Sequence, residues 1–145
     1  MKRFAQLTLT LVFVLGMLQT TTYASGMVTI ERIDYADGSY ALIVPQKNMN
    51  RSTTHDGKSY VYYNSSNVRC FSYTLEADFT YNGRISRADS CSASVTLYDR
   101  NWELDSHNEY TSGNTAYGEA VFSGPGGASR TVSLTLTCDK NGNVT

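Results

Sequence analysis

Beyond residue 25, apolar side chains recur at every second position and nowhere sustain a helical spacing. The clearest stretch runs Phe71, Tyr73, Leu75, Ala77, Phe79, Tyr81, with Ser72, Thr74, Glu76, Asp78 and Thr80 between them. Successive side chains of a strand point to opposite faces, so this segment is predicted to be a half-buried antiparallel strand. A helix would scatter the same residues around its circumference. The pattern returns in Cys91, Ala93, Val95 and Leu97, in Ala116, Gly118, Ala120 and Phe122, and in Val132, Leu134, Leu136 and Cys138. Asp99-Arg100-Asn101 is predicted to turn back into Trp102 and Leu104, and Gly124-Pro125-Gly126-Gly127 to form a turn or loop.

Upstream, Val28 to Ala36 and Ser39 to Val44 flank Asp37-Gly38, a dipeptide that tolerates the positive φ of a tight hairpin. A two-residue loop there would set Tyr35 opposite Tyr40 and Ile33 opposite Leu42. Gln46 to Thr54 is predicted as a polar loop, and Ser59 to Tyr63 as a short tyrosine-rich strand. The whole specifies an all-β chain. Its expected architecture is a single antiparallel β-sandwich of seven to eight strands, immunoglobulin-like. A small β-barrel is the alternative, because alternation alone does not distinguish closure from stacking.

The first residues follow another logic. Met1-Lys2-Arg3 is a short basic start, and Leu7 to Leu18 is an apolar run shorter than the roughly 20 residues that span a bilayer. Small and polar residues follow to Ser25. This is the layout of a secretory signal peptide over residues 1–24, cleaved after Ala24, with Gly26 as a second candidate site. Residues 25–145 then form one domain, and losing Lys2 and Arg3 takes the formal charge from -1 to -3. No later stretch has spanning length, so the expectation is a secreted or extracytoplasmic protein without a transmembrane segment. Neither charge carries the basic footprint of a nucleic-acid binder.

Three cysteines in an exported chain leave one bridge and one remainder. Cys91 opens its strand, Cys138 closes the last one, and both lie in phase with the apolar residues. A Cys91–Cys138 disulfide is therefore favoured among three possible pairings, and would be worth about 4 kcal/mol in the chain-entropy account. Cys70 lies in phase with the polar side of its strand: a free thiol, an intermolecular partner, or the true partner of one of the others.

Catalytic chemistry finds little to stand on. The chain has no Gly-x-Ser-x-Gly, no His-Glu-x-x-His, no phosphate-cradling glycine loop and no cysteine or histidine at zinc-chelating spacing. His55 and His107 each have a carboxylate near in sequence, but both fall in segments that read as exposed loops. Asp139-Lys140-Asn141-Gly142-Asn143 resembles the start of a calcium loop yet lacks a glutamate at position twelve, and reads better as a solvated turn. Asn50, Asn64 and Asn143 each open a glycan-acceptor triplet. Neither a metal nor any other cofactor is implied, and no enzyme.

Eleven tyrosines against five phenylalanines and one tryptophan are the compositional excess. Tyrosine is a favoured strand former, and it also supplies flat amphipathic contact area. Tyr60, Tyr62 and Tyr63 are the first candidates for a contact patch, toward an unknown protein or carbohydrate.

Cys91-Ser92-Ala93-Ser94-Val95-Thr96-Leu97-Tyr98 and Ser133-Leu134-Thr135-Leu136-Thr137-Cys138 resemble small secreted bacterial proteins with an immunoglobulin-like sandwich. The likeness spans roughly residues 90–142. It implies the fold and export, and transfers no functional residue, since such proteins mostly lack an assigned activity. The function expected is a secreted, non-enzymatic binding or interaction module; the alternative is a small secreted effector, toxin component or enzyme inhibitor.

Overall fold

The computed structural model describes residues 29–49 and 53–145. The expected signal peptide over 1–24 and the Asn50 triplet lie outside them. Eight strands follow in order: β1 (Glu31–Asp34), β2 (Tyr40–Met49), β3 (Thr53–Tyr63), β4 (Arg69–Tyr81), β5 (Ser86–Leu97), β6 (Glu103–Ser112), β7 (Thr115–Ser123) and β8 (Ser129–Thr137). A single 3-10 turn, Pro125–Gly127, joins β7 to β8. β1 to β5 form one antiparallel sheet and β6 to β8 a second, each in chain order. This is the expected sandwich, but its connectivity is a pair of meanders. The strand exchange of a Greek key, which defines the immunoglobulin topology, is absent from these two sheets.

The core lies between the sheets. β4 supplies Phe71, Tyr73, Leu75, Ala77 and Phe79, all buried as their alternation requires, and Tyr81 packs partly against them. The three-stranded sheet answers with Ala116, Ala120, Phe122, Val132, Leu134 and Leu136. At the centre Phe71 stacks on Phe122, ring centroids 3.9 Å apart, while Tyr62 and Trp102 each approach Phe71 to 5.1 Å. Arg130 ties one end: it reaches from β8 to the Asp37 carboxylate at 2.6 Å and lies over the rings of Tyr35 and Tyr62.

Several expectations change in register or extent. The β1–β2 turn holds three residues, because Tyr35 N–H donates to Ser39 O and Gly38 sits at φ +80°. Asp34, not Tyr35, therefore faces Tyr40, and Ile33 faces Ala41. The polar segment after Gln46 continues β2 to Met49, and β3 begins at Thr53. His107 and Tyr110 stand on β6, an edge strand whose largely exposed side chains hide any period.

The tyrosine patch is corrected as well. Tyr60 and Tyr62 are 4% and 3% exposed and face the core; only Tyr63, one step out of phase, points to the outer face.

All three cysteines are free thiols, so the expected Cys91–Cys138 bridge is not formed. The β5 residue beside Cys138 is Ser86, whose hydroxyl donates to the Cys138 carbonyl at 2.7 Å. Cys91 lies five residues further along, about 16 Å of strand, beyond the roughly 7 Å that a disulfide can bridge. Cys70 also departs from expectation. Tyr62 pairs with Phe71 and Tyr63 with Arg69, so Cys70 is the extra residue of a β-bulge and is fully buried rather than polar-facing. Burial pushes all three thiols above their ordinary pKa, which favours the protonated form, and the full burial of Cys70 and Cys138 also shields them from reagents.

Two outcomes check this packing. Alkylation under native conditions should leave Cys70 and Cys138 unlabelled, and unfolding should expose all three thiols; a single label after unfolding would reveal a bridge. Gly118 lies against β4, where an added Cβ would stand 2.6 Å from the Tyr73 hydroxyl and 3.0 Å from Leu75 Cδ1. Gly118→Ala should therefore cost about 1–3 kcal/mol in urea denaturation. The loss should shrink in a Tyr73→Phe background, which removes the nearer atom.

Candidate functional site

The outer face of the five-stranded sheet follows from the core by parity. If Phe71, Tyr73 and Leu75 face inward, then Ser72, Thr74, Glu76 and Asp78 face outward, and pairing places an outward residue of each neighbour beside them. Read across the strands, one row is Leu42, Val61, Ser72 and Thr96, and the next is Val44, Ser59, Thr74 and Ser94. Ser59, Val61 and Ser72 are buried although they face away from the sandwich. They form the floor of a groove of about 360 Å3, with Val44 and Gln46 on one side and Arg69, Thr96 and Tyr98 on the other. Gln46 Nε2 donates to Ser59 Oγ at 2.9 Å, and Ser59 shares a 2.8 Å hydrogen bond with Thr74.

An aromatic and cationic row closes one end of the groove. Tyr40 and Tyr63 stack at 4.8 Å, with the Arg32 guanidinium over Tyr40 and the Tyr40 hydroxyl bonded to Asn67. Beyond them the Arg69 guanidinium lies 4.1 Å over the Tyr98 ring. The Cys70 bulge makes this arrangement. Strict alternation would turn Arg69 toward the core; the extra residue turns it outward beside Tyr63. The Cys70 carbonyl then accepts the N–H groups of Tyr98 at 2.8 Å and Asp99 at 3.0 Å, fixing Tyr98 next to Arg69. Among the described residues Arg32 is paired with Asp34, whereas Arg69 has no carboxylate partner.

The far end of the same face is acidic. Glu76 leans over Gly57, whose missing side chain leaves it room, and one row on stand His55, Asp78 and Ser90. His55 Nδ1 bonds Asp78 Oδ1 at 2.8 Å and Ser90 Oγ donates to Asp78 Oδ2 at 2.7 Å. These residue types suggest a hydrolase triad, but the order is wrong. A nucleophilic serine needs its hydroxyl on the imidazole, and here serine and histidine both spend themselves on the carboxylate.

A scan against family models, a search of curated proteins and a search of solved structures each found no match. The site therefore rests on its own geometry.

His107 bonds Glu109 at 2.8 Å on the β6 edge, and Glu109 also accepts the buried Tyr73 hydroxyl at 2.8 Å, so this pair braces the two sheets. Asp139 is consumed by its own turn, accepting the N–H groups of Asn141 and Asn143 at 2.8 Å. Among the described residues no three His, Cys, Asp or Glu groups gather in a metal-holding arrangement. No described helix is long and apolar enough to cross a membrane. Another concavity, about 270 Å3, opens between the sheets against Ile43, Leu136 and Val144. Its charged groups serve the fold: Lys58 reaches across to the Thr135 carbonyl at 2.9 Å, and Asp56 accepts the Thr54 hydroxyl at 3.1 Å. Burial lowers the Lys58 pKa, with Glu31 nearby opposing the shift.

The sequence pattern places Ser72, Thr74, Glu76 and Asp78 together on the polar face of β4, and it singles out Tyr63 and His55. The outward turn of Arg69 is hidden by a bulge, and the hydroxyl floor is assembled from β3 and β4, a pattern no single segment displays.

Hydrogen bonds from Ser90 and then His55 hold the Asp78 carboxyl below the usual carboxylate range. Its folded proton affinity is thus lower than its unfolded one, so the stability it contributes is present above about pH 4 and drains away as pH falls through the folded value. Asp78→Asn should lower the thermal midpoint near neutral pH, and the gap from the native protein should close toward pH 2. A gap that stayed constant with pH would show that Asp78 contributes through packing alone.

Proposed function

We propose that this chain is a secreted, non-enzymatic binding module that docks a saccharide on the outer face of its five-stranded sheet. One observation carries the reading: the groove over Ser59, Ser72 and Thr74, flanked by Gln46, Thr96 and the exposed ring of Tyr98. A sugar leaving water must exchange many hydrogen bonds, so its site needs closely spaced donors and acceptors held in place beforehand. Hydroxyls answer in kind, and strands separated by about 4.8 Å space them at intervals suited to alternate, rather than adjacent, hydroxyls of a pyranose ring. An aromatic ring at the edge offers the apolar surface that ring C–H groups prefer. The floor sits on central strands, whose backbone is fixed by neighbours on both sides, so little ordering remains at the moment of binding.

Two further features support the reading. His55, Asp78 and Ser90 are joined in an order that leaves no activated nucleophile, which favours binding over turnover. The basic start, apolar run and small-residue end of residues 1–24 favour export, where glycans and peptidoglycan lie within reach.

A glycan and peptidoglycan binding screen of the exported protein tests the assignment. Saccharide binding should be lost in Tyr98→Ala combined with Thr74→Val, with the circular dichroism spectrum unchanged. Ligands whose affinity is indifferent to both substitutions would move the site elsewhere. N-terminal sequencing of exported material should begin near Ser25.

A further inference from the structure

Polarity along the groove deepens this reading and rests on it. At one end stands Arg69, a guanidinium with no carboxylate partner among the described residues, fixed over Tyr98 by the Cys70 bulge. At the other end stand Glu76 and Asp78, with the hydroxyl rows between. We infer that the groove selects a saccharide whose terminal ring carries a carboxylate, and holds that carboxylate on Arg69 with the neutral remainder running toward Glu76.

Three features of the groove favour this ligand. Guanidinium presents paired N–H donors in one plane, matched to a carboxylate, and its contact with the Tyr98 ring, 4.1 Å from the centroid, holds the cation at this end of the groove. From the Arg69 row to the Ser72 and Thr96 row is one two-residue repeat, about 6.8 Å, close to the width of one pyranose ring. A carboxylate on Arg69 would thus bring the ring's far hydroxyls over Ser72 and Thr96. The charge gradient sets direction: turned end for end, the ligand would place its carboxylate against Glu76 and leave Arg69 unsatisfied. A polymer with acid on every ring would meet the same repulsion further along, so a single terminal acid fits best.

The matched probes are methyl β-D-glucuronide and methyl β-D-glucoside, which differ only in whether C6 is a carboxylate or an alcohol. Each is titrated into the isotope-labelled mature protein and followed by amide chemical shifts of residues 59–74 and 94–98. The glucuronide should bind roughly 10- to 100-fold more tightly, the worth of a charge-assisted hydrogen-bonded pair. Added salt should narrow that margin. Arg69→Ala should bring the ratio of the two affinities to about one, whatever the change in glucoside affinity itself, and Arg69→Lys should retain only part of the preference.

Equal affinity for both probes, untouched by Arg69→Ala, would overturn the acid preference and leave the saccharide groove standing. No shift in these residues with either probe, or with the oligosaccharides of the screen, would overturn both. Displacement of the glucuronide by sulfate at equal concentration would reduce Arg69 to a general anion contact and end the inference.

Discussion

The face-to-face contact of Phe71 with Phe122 is the constraint on which the rest depends. It is the closest aromatic approach between the two sheets, and it decides which parity of each strand turns inward. A strand has only two faces, so fixing one residue of β4 fixes all the others from Phe71 to Tyr81, and backbone pairing carries that choice to β3 and β5. Tyr62, Tyr73 and Leu75 go in; Ser59, Ser72 and Thr74 go out. The outer rows are thus a by-product of the core. A one-residue slip of β4 would bury the hydroxyls and expose the rings.

This explains how far the fold was legible. From Phe71 to Tyr81 β4 alternates without interruption because it is central and covered on one face, so its pattern alone gives its structure there. β6 carries Asp105, Ser106, His107 and Asn108 where a covered strand would carry apolar residues, and an edge exposed to water imposes no period. Asp37-Gly38 announces a turn correctly, but the dipeptide does not state whether two or three residues complete it. That one residue shifts the whole β1–β2 pairing. The cysteines misled for a related reason: phase within a strand says which face a thiol occupies, and nothing of how far along the sandwich it lies.

The proposed binding face was less legible than the fold. Its floor comes from residues far apart in the chain, and its charged end depends on a bulge that inverts the alternation at one point. Bulges commonly re-aim a side chain near a functional surface. Here the displacement turns Arg69 outward and Cys70 inward, and the Cys70 carbonyl secures Tyr98. Local irregularity and the proposed site coincide, the pattern expected where alternation is broken at a functional surface.

Sequential pairing has a consequence for assembly. Each strand bonds the strand that precedes it within its sheet, so every pairing closes over a short stretch of chain, and each sheet can grow by adding hairpins in turn. Only the passage from Tyr98 to Trp102 joins the two growing ribbons, pinned at one side by the Cys70 carbonyl and at the other by Trp102 N–H on Asp99 O. Lengthening a hairpin tip would loosen one local closure and leave the remaining ladders alone. The same insertion between Tyr98 and Trp102 would let the ribbons form and then fail to meet.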